Sequence, residues 1–320
     1  MSNSVTIKVP ARLHLGFLDP NGQSGRRFGS IGLPLSEPET VVTLSRAQET
    51  VIEGPESSRA ASHLATLCEH LGIRSRHRLV VEQAIPRHAG LGSGTQIALA
   101  VATALRTLHG LPLAVADDAT RLARGARSGI GIASFESGGV IIDAGKGSSG
   151  GPPPVVARLA FPEEWRVILI LDPSRDGLHG DEETEAFRSL PPFPESSIGE
   201  ICRHALMGVM PALVERDLTA FGAAISAIQL LVGNYFAPAQ GGVFTSAKVA
   251  EAAHRLAEAG AVGIGQSSWG PTGFAFAPSE SVARSMVAAT GTREGIELKI
   301  VRGRNAGAKI SATGLGLVGS

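Results

Sequence analysis

The chain has 320 residues, 43 % of them hydrophobic and 18 % charged, which excludes a disordered polymer and leaves room for two ordinary buried cores. Lys plus Arg and Asp plus Glu each number 29, so no net field draws the molecule to nucleic acid or to an anionic membrane, and any anion it takes is captured by a local site. Cys68 and Cys202 stand far apart in no paired motif, which argues against a disulfide framework and a thiolate metal site and fits a reducing compartment.

The opening stretch MSNSVTIKVPARLHLGF has no charged segment leading into a continuous apolar run, and the longest apolar run, around Ile97 to Leu105, would cover only part of a bilayer. A soluble, cytoplasmic protein is the expectation. In chain order, VTIKV (residues 5–9), TVVTLS (40–45) and HRLVVEQAIP (77–86) carry the β-branched runs of strands, and SSRAASHLATLCEHLG reads as a helix stopped at Gly72. Ile97, Val101, Ala104, Leu105 and Leu108 recur at helical spacing, closed by Gly110 and Pro112, and a second helix is expected from about Ala114 to Gly125. Within it Asp117 and Asp118 read as a solvated helix face. GGVIIDAG is a strand.

KGSSGGPPP, residues 146–154, is the strongest composition break and marks a boundary between a unit spanning residues 1–154 and one spanning 155–320. Beyond it WRVILILD is a buried strand, residues 197–231 hold two helices split near Asp217, and residues 244–260 hold a third. VGIGQSS, TGFAFAP and IELKIVRG read as strands around a helix at 279–290. Strands and helices mixed without a regular βαβ repeat indicate an α+β class.

The stretch PRHAGLGSGTQIALAVATAL carries the chemistry. A helix beginning just after Gly94 leaves its first N–H groups without intrahelical partners, glycines 90, 92 and 94 let a ligand approach the main chain, and Ser93 and Thr95 add hydroxyls. Phosphate suits such a loop; so does a plain capped turn. It lacks the lysine of a Walker loop and the spacing of the dinucleotide fingerprint.

PRHAGLGSGTQIA closely resembles the second motif of the GHMP kinase superfamily, P-x-x-x-G-L-G-S-S-x-A, with Gly94 where that superfamily usually has a second serine. PARLHLGFLD resembles its first motif and VGIGQSSWGPTGFAF stands at the place of its third. Together with GARSGIGIASFESGGVIIDAG and DGLHGDEE, these resemble one branch, the β-ribofuranosylaminobenzene 5′-phosphate synthases. The resemblance implies an N-terminal α+β domain with a phosphate loop and a C-terminal ferredoxin-like α+β domain. It implies a homodimeric, decarboxylating pentosyltransferase of tetrahydromethanopterin biosynthesis that uses phosphoribosyl pyrophosphate and 4-aminobenzoate, with Mg2+ on the pyrophosphate and no ATP. An ATP-dependent small-molecule kinase and a non-catalytic phosphometabolite-binding regulator remain as alternatives.

On that reading Gly90, Leu91, Gly92, Ser93, Gly94 and Thr95 bind donor phosphate, with Arg12 and His14 at the edge. Asp19 is a candidate catalytic residue and Mg2+ ligand, although an Asp before Pro-Asn-Gly is also a good turn former. Arg127, beside Ser128 in a glycine-rich turn, suits bidentate capture of a phosphate or carboxylate, or is a solvated helix-end arginine. Asp176 and His179 sit on a glycine-broken loop after a buried strand, where functional groups concentrate. Gln266, Ser267, Ser268 and Trp269 replace the small residues of a kinase loop; Trp269 suits a flat wall for the aminobenzoate ring, or simple packing. The nine histidines show no zinc-ligand spacing.

Overall fold

The computed structural model describes residues 2–148, 150–175, 177, 185, 188–291 and 294–314; Asp176 and His179 lie outside the described residues. Strands β1 (Ser2–Asp19) and β2 (Phe28–Ala47) form a long antiparallel pair, with Lys8 opposite Val41 and Leu13 opposite Leu33. Val5, Ile7 and Val9 of β1 pack in one core, Ala11, Leu13 and Leu15 in a second. Register shifts between Pro10 and Arg12 and between His14 and Gly16 bulge the strand on both sides of residues 12–14. Bulges re-aim side chains, and here they bracket the polar residues of the first motif.

β3 (Val51–Glu53) runs parallel to β4 (Arg76–Gln83), which pairs with the second half of β2. Between them lies α1 (Ser57–Leu71), ended by Gly72 in the left-handed conformation, φ 66°. α2 (Ser93–Leu108) is buried almost all round against β1 and β2, as its unbroken apolar sequence requires. The next helix, α3 (Val115–Arg121), stops short of the expected Gly125 because Ala123 turns left-handed, φ 55°. Its Asp118 corrects the reading of a solvated face: the carboxylate is buried and takes both Nε (2.6 Å) and Nη2 (2.8 Å) of Arg106. α4 (Ile130–Glu136) leads into β5 (Val140–Asp143), which pairs with the first half of β2, and β6 (Val155–Leu159) pairs with β5.

β7 (Arg166–Leu171) opens a second sheet. Ile168 and Ile170 face one core and Val167 and Leu169 another, so a strand buried on both faces reads as one continuous apolar run. α5 (Glu195–His204) continues through a π-helical turn, Ala205–Val209, into α6 (Met210–Glu215). α7 (Leu218–Gln240) begins on Asp217, whose carboxylate accepts the Ala220 N–H at 2.9 Å. At 23 residues it is long and apolar enough to cross a membrane. Here its Phe221, Ile225, Ile228 and Phe236 lie in the core that the two sheets share. α8 (Ala247–Glu258), β8 (Val262–Gln266), β9 (Gly273–Ala277), α9 (Glu280–Thr290) and β10 (Glu297–Val301) complete an antiparallel sheet ordered β10-β7-β9-β8. This is the ferredoxin-like arrangement. Finally β11 (Lys309–Gly314) returns to pair with β1, so the first sheet draws strands from both sides of residues 146–154.

Candidate active site

The three motifs converge on a cleft of about 580 Å3 between the β1 bulges, the loop before α2, the turn before α4 and the β8–β9 connection. Arg12 crosses to the loop: its N–H donates to the Leu91 carbonyl at 3.1 Å and its Nη1 to the Gly90 carbonyl at 2.5 Å. Gly90 and Gly92 are left-handed, φ 79° and 83°, and a Cβ on Gly90 would sit 2.1 Å from the Ser267 carbonyl oxygen. No side chain caps α2 at Gly92. The opening N–H groups of the helix at Ser93 and Gly94 therefore stand at the cleft, with the positive end of its dipole.

Ser267 is fully buried behind this wall and ties all three motifs together. Its hydroxyl donates to the Gly90 carbonyl (2.8 Å) and accepts the His14 main-chain N–H (3.0 Å). Gln266 is likewise engaged: its oxygen accepts the Thr245 N–H (2.6 Å), its amide donates to the Ser268 carbonyl (3.0 Å), and its own N–H donates to Gln229 Oε1 (2.7 Å). Ser268 and Trp269 instead line the cleft, Ser268 in a left-handed conformation, φ 57°, and the Trp269 ring set edge-on against Phe236 at 4.5 Å. The His14 ring lies 4.2 Å from that of Phe17. Burial first, and the neighbouring Arg12 charge second, hold its imidazole well below the usual value, so it is neutral at pH 7.

Arg127 and Ser128 also line the cleft. The Ser128 hydroxyl donates to Asp143 Oδ2 at 3.3 Å, and the same carboxylate accepts the N–H groups of Gly129 and Gly145, both at 2.9 Å. Asp143, fully buried at the end of β5, is thus the anchor of this turn. Burial raises its carboxyl above the usual range in spite of those hydrogen bonds. Arg59 of α1 and Arg124 stand in the wall as well. Among the described residues the cleft carries four arginines, Arg12, Arg59, Arg124 and Arg127, and no carboxylate.

Comparison with known proteins settles the family. Residues 58–139 match the model of the GHMP kinases N terminal domain and residues 209–293 that of the GHMP kinases C terminal domain. The β-ribofuranosylphenol 5′-phosphate synthase of Methanothermobacter thermautotrophicus is 34 % identical over 83 % of this chain and 86 % of its own length. That of Archaeoglobus fulgidus is 35 % identical over 86 % and 88 %. The chain belongs to the β-ribofuranosylphenol 5′-phosphate synthase family. Solved structures share the fold at lower identity: homoserine kinase from Cytophaga hutchinsonii (TM-score 0.69, 18 % identical, 97 % of this chain and 98 % of that one) and mevalonate diphosphate decarboxylase from Staphylococcus aureus (0.67, 15 %, 97 % and 98 %).

Within this synthase-family fold Asp19 stands apart from the cleft-lining residues. Its Oδ1 accepts the N–H groups of Asn21 (3.2 Å) and Gly22 (2.7 Å), and its Oδ2 the N–H (2.7 Å) and O–H (2.6 Å) of Ser24. Burial opposes its charge, but the bonds from Ser24 and Gly22 outweigh burial and hold the carboxyl below its usual value. Four donors fill the lone-pair directions of a carboxylate, so Asp19 does not fit a Mg2+ ligand; it staples the β1–β2 turn. Among the described residues no group of three metal-ligating side chains occurs. Sequence reasoning passed over Arg59, Arg124 and Asp143; the one local sign was the pair of arginines flanking Gly125.

Proposed function

We propose that the protein is a decarboxylating pentosyltransferase that joins phosphoribosyl pyrophosphate to 4-aminobenzoate, giving β-ribofuranosylaminobenzene 5′-phosphate, carbon dioxide and pyrophosphate, in tetrahydromethanopterin biosynthesis. The observation that carries this reading is the wall of four arginines around the glycine loop, a charge balance suited to a donor with two phosphorylated ends. In the reaction the ring carbon bearing the carboxylate bonds to C1 of the ribose, and the C1–O bond breaks with its electron pair going to pyrophosphate. The bond from ring to carboxylate then breaks, its pair restores the aromatic ring, and carbon dioxide leaves. No base is needed at that carbon, so the task of the protein is to bind, orient and stabilise charge.

The loop at residues 90–95 with Arg12 and Arg127 holds donor phosphates, and neutral His14 lies beside Phe17 without adding a cation. Trp269, its ring braced by Phe236, walls the aromatic acid. Release of label from carboxyl-labelled 4-aminobenzoate, dependent on donor and Mg2+, is the deciding assay. The relatives are named for a ribofuranosylphenol rather than a ribofuranosylaminobenzene, so 4-hydroxybenzoate belongs in a parallel arm. Donor binding without release from either acid would leave a binding protein and overturn the reading. In a thermal-shift panel phosphoribosyl pyrophosphate raises Tm while ATP leaves it unchanged; the reverse pattern would favour a kinase. Trp269→Phe is expected to raise KM for the aromatic acid about 2- to 10-fold, the worth of one aromatic contact, with KM for the donor unchanged.

A further inference from the structure

The glycine loop crosses the cleft, and its two ends meet different chemistry. At the Gly90 end the main chain presses on Ser267 and Gly270, beside Trp269. At the other end a Cβ on Gly94 would lie 3.1 Å from Nη1 of Arg124 and 3.9 Å from Nη1 of Arg59. The glycine that replaces the usual serine of the superfamily motif leaves room for two guanidinium groups over the start of α2. We propose that Arg59 and Arg124 are a clamp for the pyrophosphate end of the sugar donor; this rests on the transferase reading above and assigns one end of its substrate to one end of the cleft.

Two like charges held this close call for an anion between them. Arg59 shares its carboxylate partner, Glu56 (3.3 Å), with Arg87 (3.4 Å). Among the described residues Arg124 makes no ion pair, and its buried Nε has no hydrogen-bond partner. Burial, and then the charge of Arg59, pull Arg124 below its ordinary value. The nearby His63 is buried with Nε2 unpartnered; burial first, then Arg124 and Arg59, push it down to about 4, so it adds no third cation. The backbone is left-handed at Glu56 (φ 62°), at the start of the helix that carries Arg59, and at Ala123 (φ 55°), just before Arg124. Such strain on non-glycine residues concentrates where a site demands it.

The choice of end follows from the displacement. Attacking ring and leaving group lie on opposite sides of C1, so an aromatic wall at the Gly90 end sends the diphosphate to the Gly94 end. The diphosphate also carries more charge than the 5′-phosphate, which is left to Arg12 and Arg127.

Titration calorimetry with inorganic pyrophosphate and, separately, ribose 5-phosphate tests this on the full chain. Arg124→Gln and Arg59→Gln are each expected to weaken pyrophosphate about 10-fold or more, the worth of a hydrogen bond to a charged group, and to leave ribose 5-phosphate within about 2-fold. Gly94→Ser, which pushes the Arg124 guanidinium aside, weakens pyrophosphate in the same direction. An unchanged Tm for each variant keeps misfolding apart from lost binding. Unaltered pyrophosphate affinity in both glutamine variants, or a loss confined to ribose 5-phosphate, overturns the clamp while the transferase reading stands. A wild-type protein that binds neither pyrophosphate nor phosphoribosyl pyrophosphate overturns both.

Discussion

Asp19 shows how a single side chain divides between chemistry and structure. A carboxylate that ends the first motif is well placed to hold a metal, yet four hydrogen bonds from residues 21–24 consume it. Asp19→Asn keeps the size and turns one acceptor into a donor facing the Ser24 N–H, which leaves buried donors unpaired at a cost of about 1–3 kcal/mol. The sign with pH follows from its depressed folded value. The unfolded chain takes up the proton first, so the stabilisation is complete above the ordinary value of 3.8 and is lost as pH falls through the lower folded value. Urea midpoints measured across that window should therefore converge for wild type and variant at the acid end and separate above it.

At the scale of elements, the loop before α2 is held by interlocking glycines. A Cβ on Gly90 would strike the Ser267 carbonyl at 2.1 Å, and one on Gly270 would strike the Gly90 nitrogen at 2.3 Å. Main chain meets main chain there, so no flexible side chain can give way. Gly90→Ala adds that clash to a left-handed φ, and kcat/KM is expected to fall by about 100-fold, the scale of a misplacement of about 1 Å in a site that works by orientation. Circular dichroism should show the fold intact, with Tm lowered. By contrast Asp143 acts through the turn it anchors, since its contacts are with Ser128, Gly129 and Gly145.

At the scale of the whole molecule, the two sheets are joined by chain that crosses twice. Asn305, on the way from β10 back to β11, accepts the Phe161 N–H and donates to the Phe161 carbonyl, both at 2.8 Å. Phe161 in turn packs with Trp165, Phe221 and Phe276 in the shared core. Asn305→Ala leaves two main-chain groups unpaired, and the expected loss is about 2–3 kcal/mol in chemical denaturation. Asn305 does not line the cleft, so KM for the proposed donor and aromatic acid should stay at the wild-type value.

Much of this architecture was legible because it is written in local pattern. The continuous run RVILIL announces a strand covered on both faces, the apolar run of α2 announces a central helix, and the three motifs announce which segments meet at the cleft. The first half of β2, residues 28–35, escaped because its glycines and proline read as punctuation; only pairing with both β1 and β5 makes it a strand. The roles of Asp118, Ser267, Arg59 and Arg124 were equally out of reach. By itself the sequence determined the class of fold, the glycine loop and the order of the longer elements, since these follow from periodicity and from backbone freedom; the short β3, α4, β6 and β11 escaped it. Tertiary structure alone decided that Asp19 is a staple, that Ser267 is a rivet and that two distant arginines share one end of the cleft. Burial and charge pairing are set by neighbours far apart in the chain, and no local pattern records them.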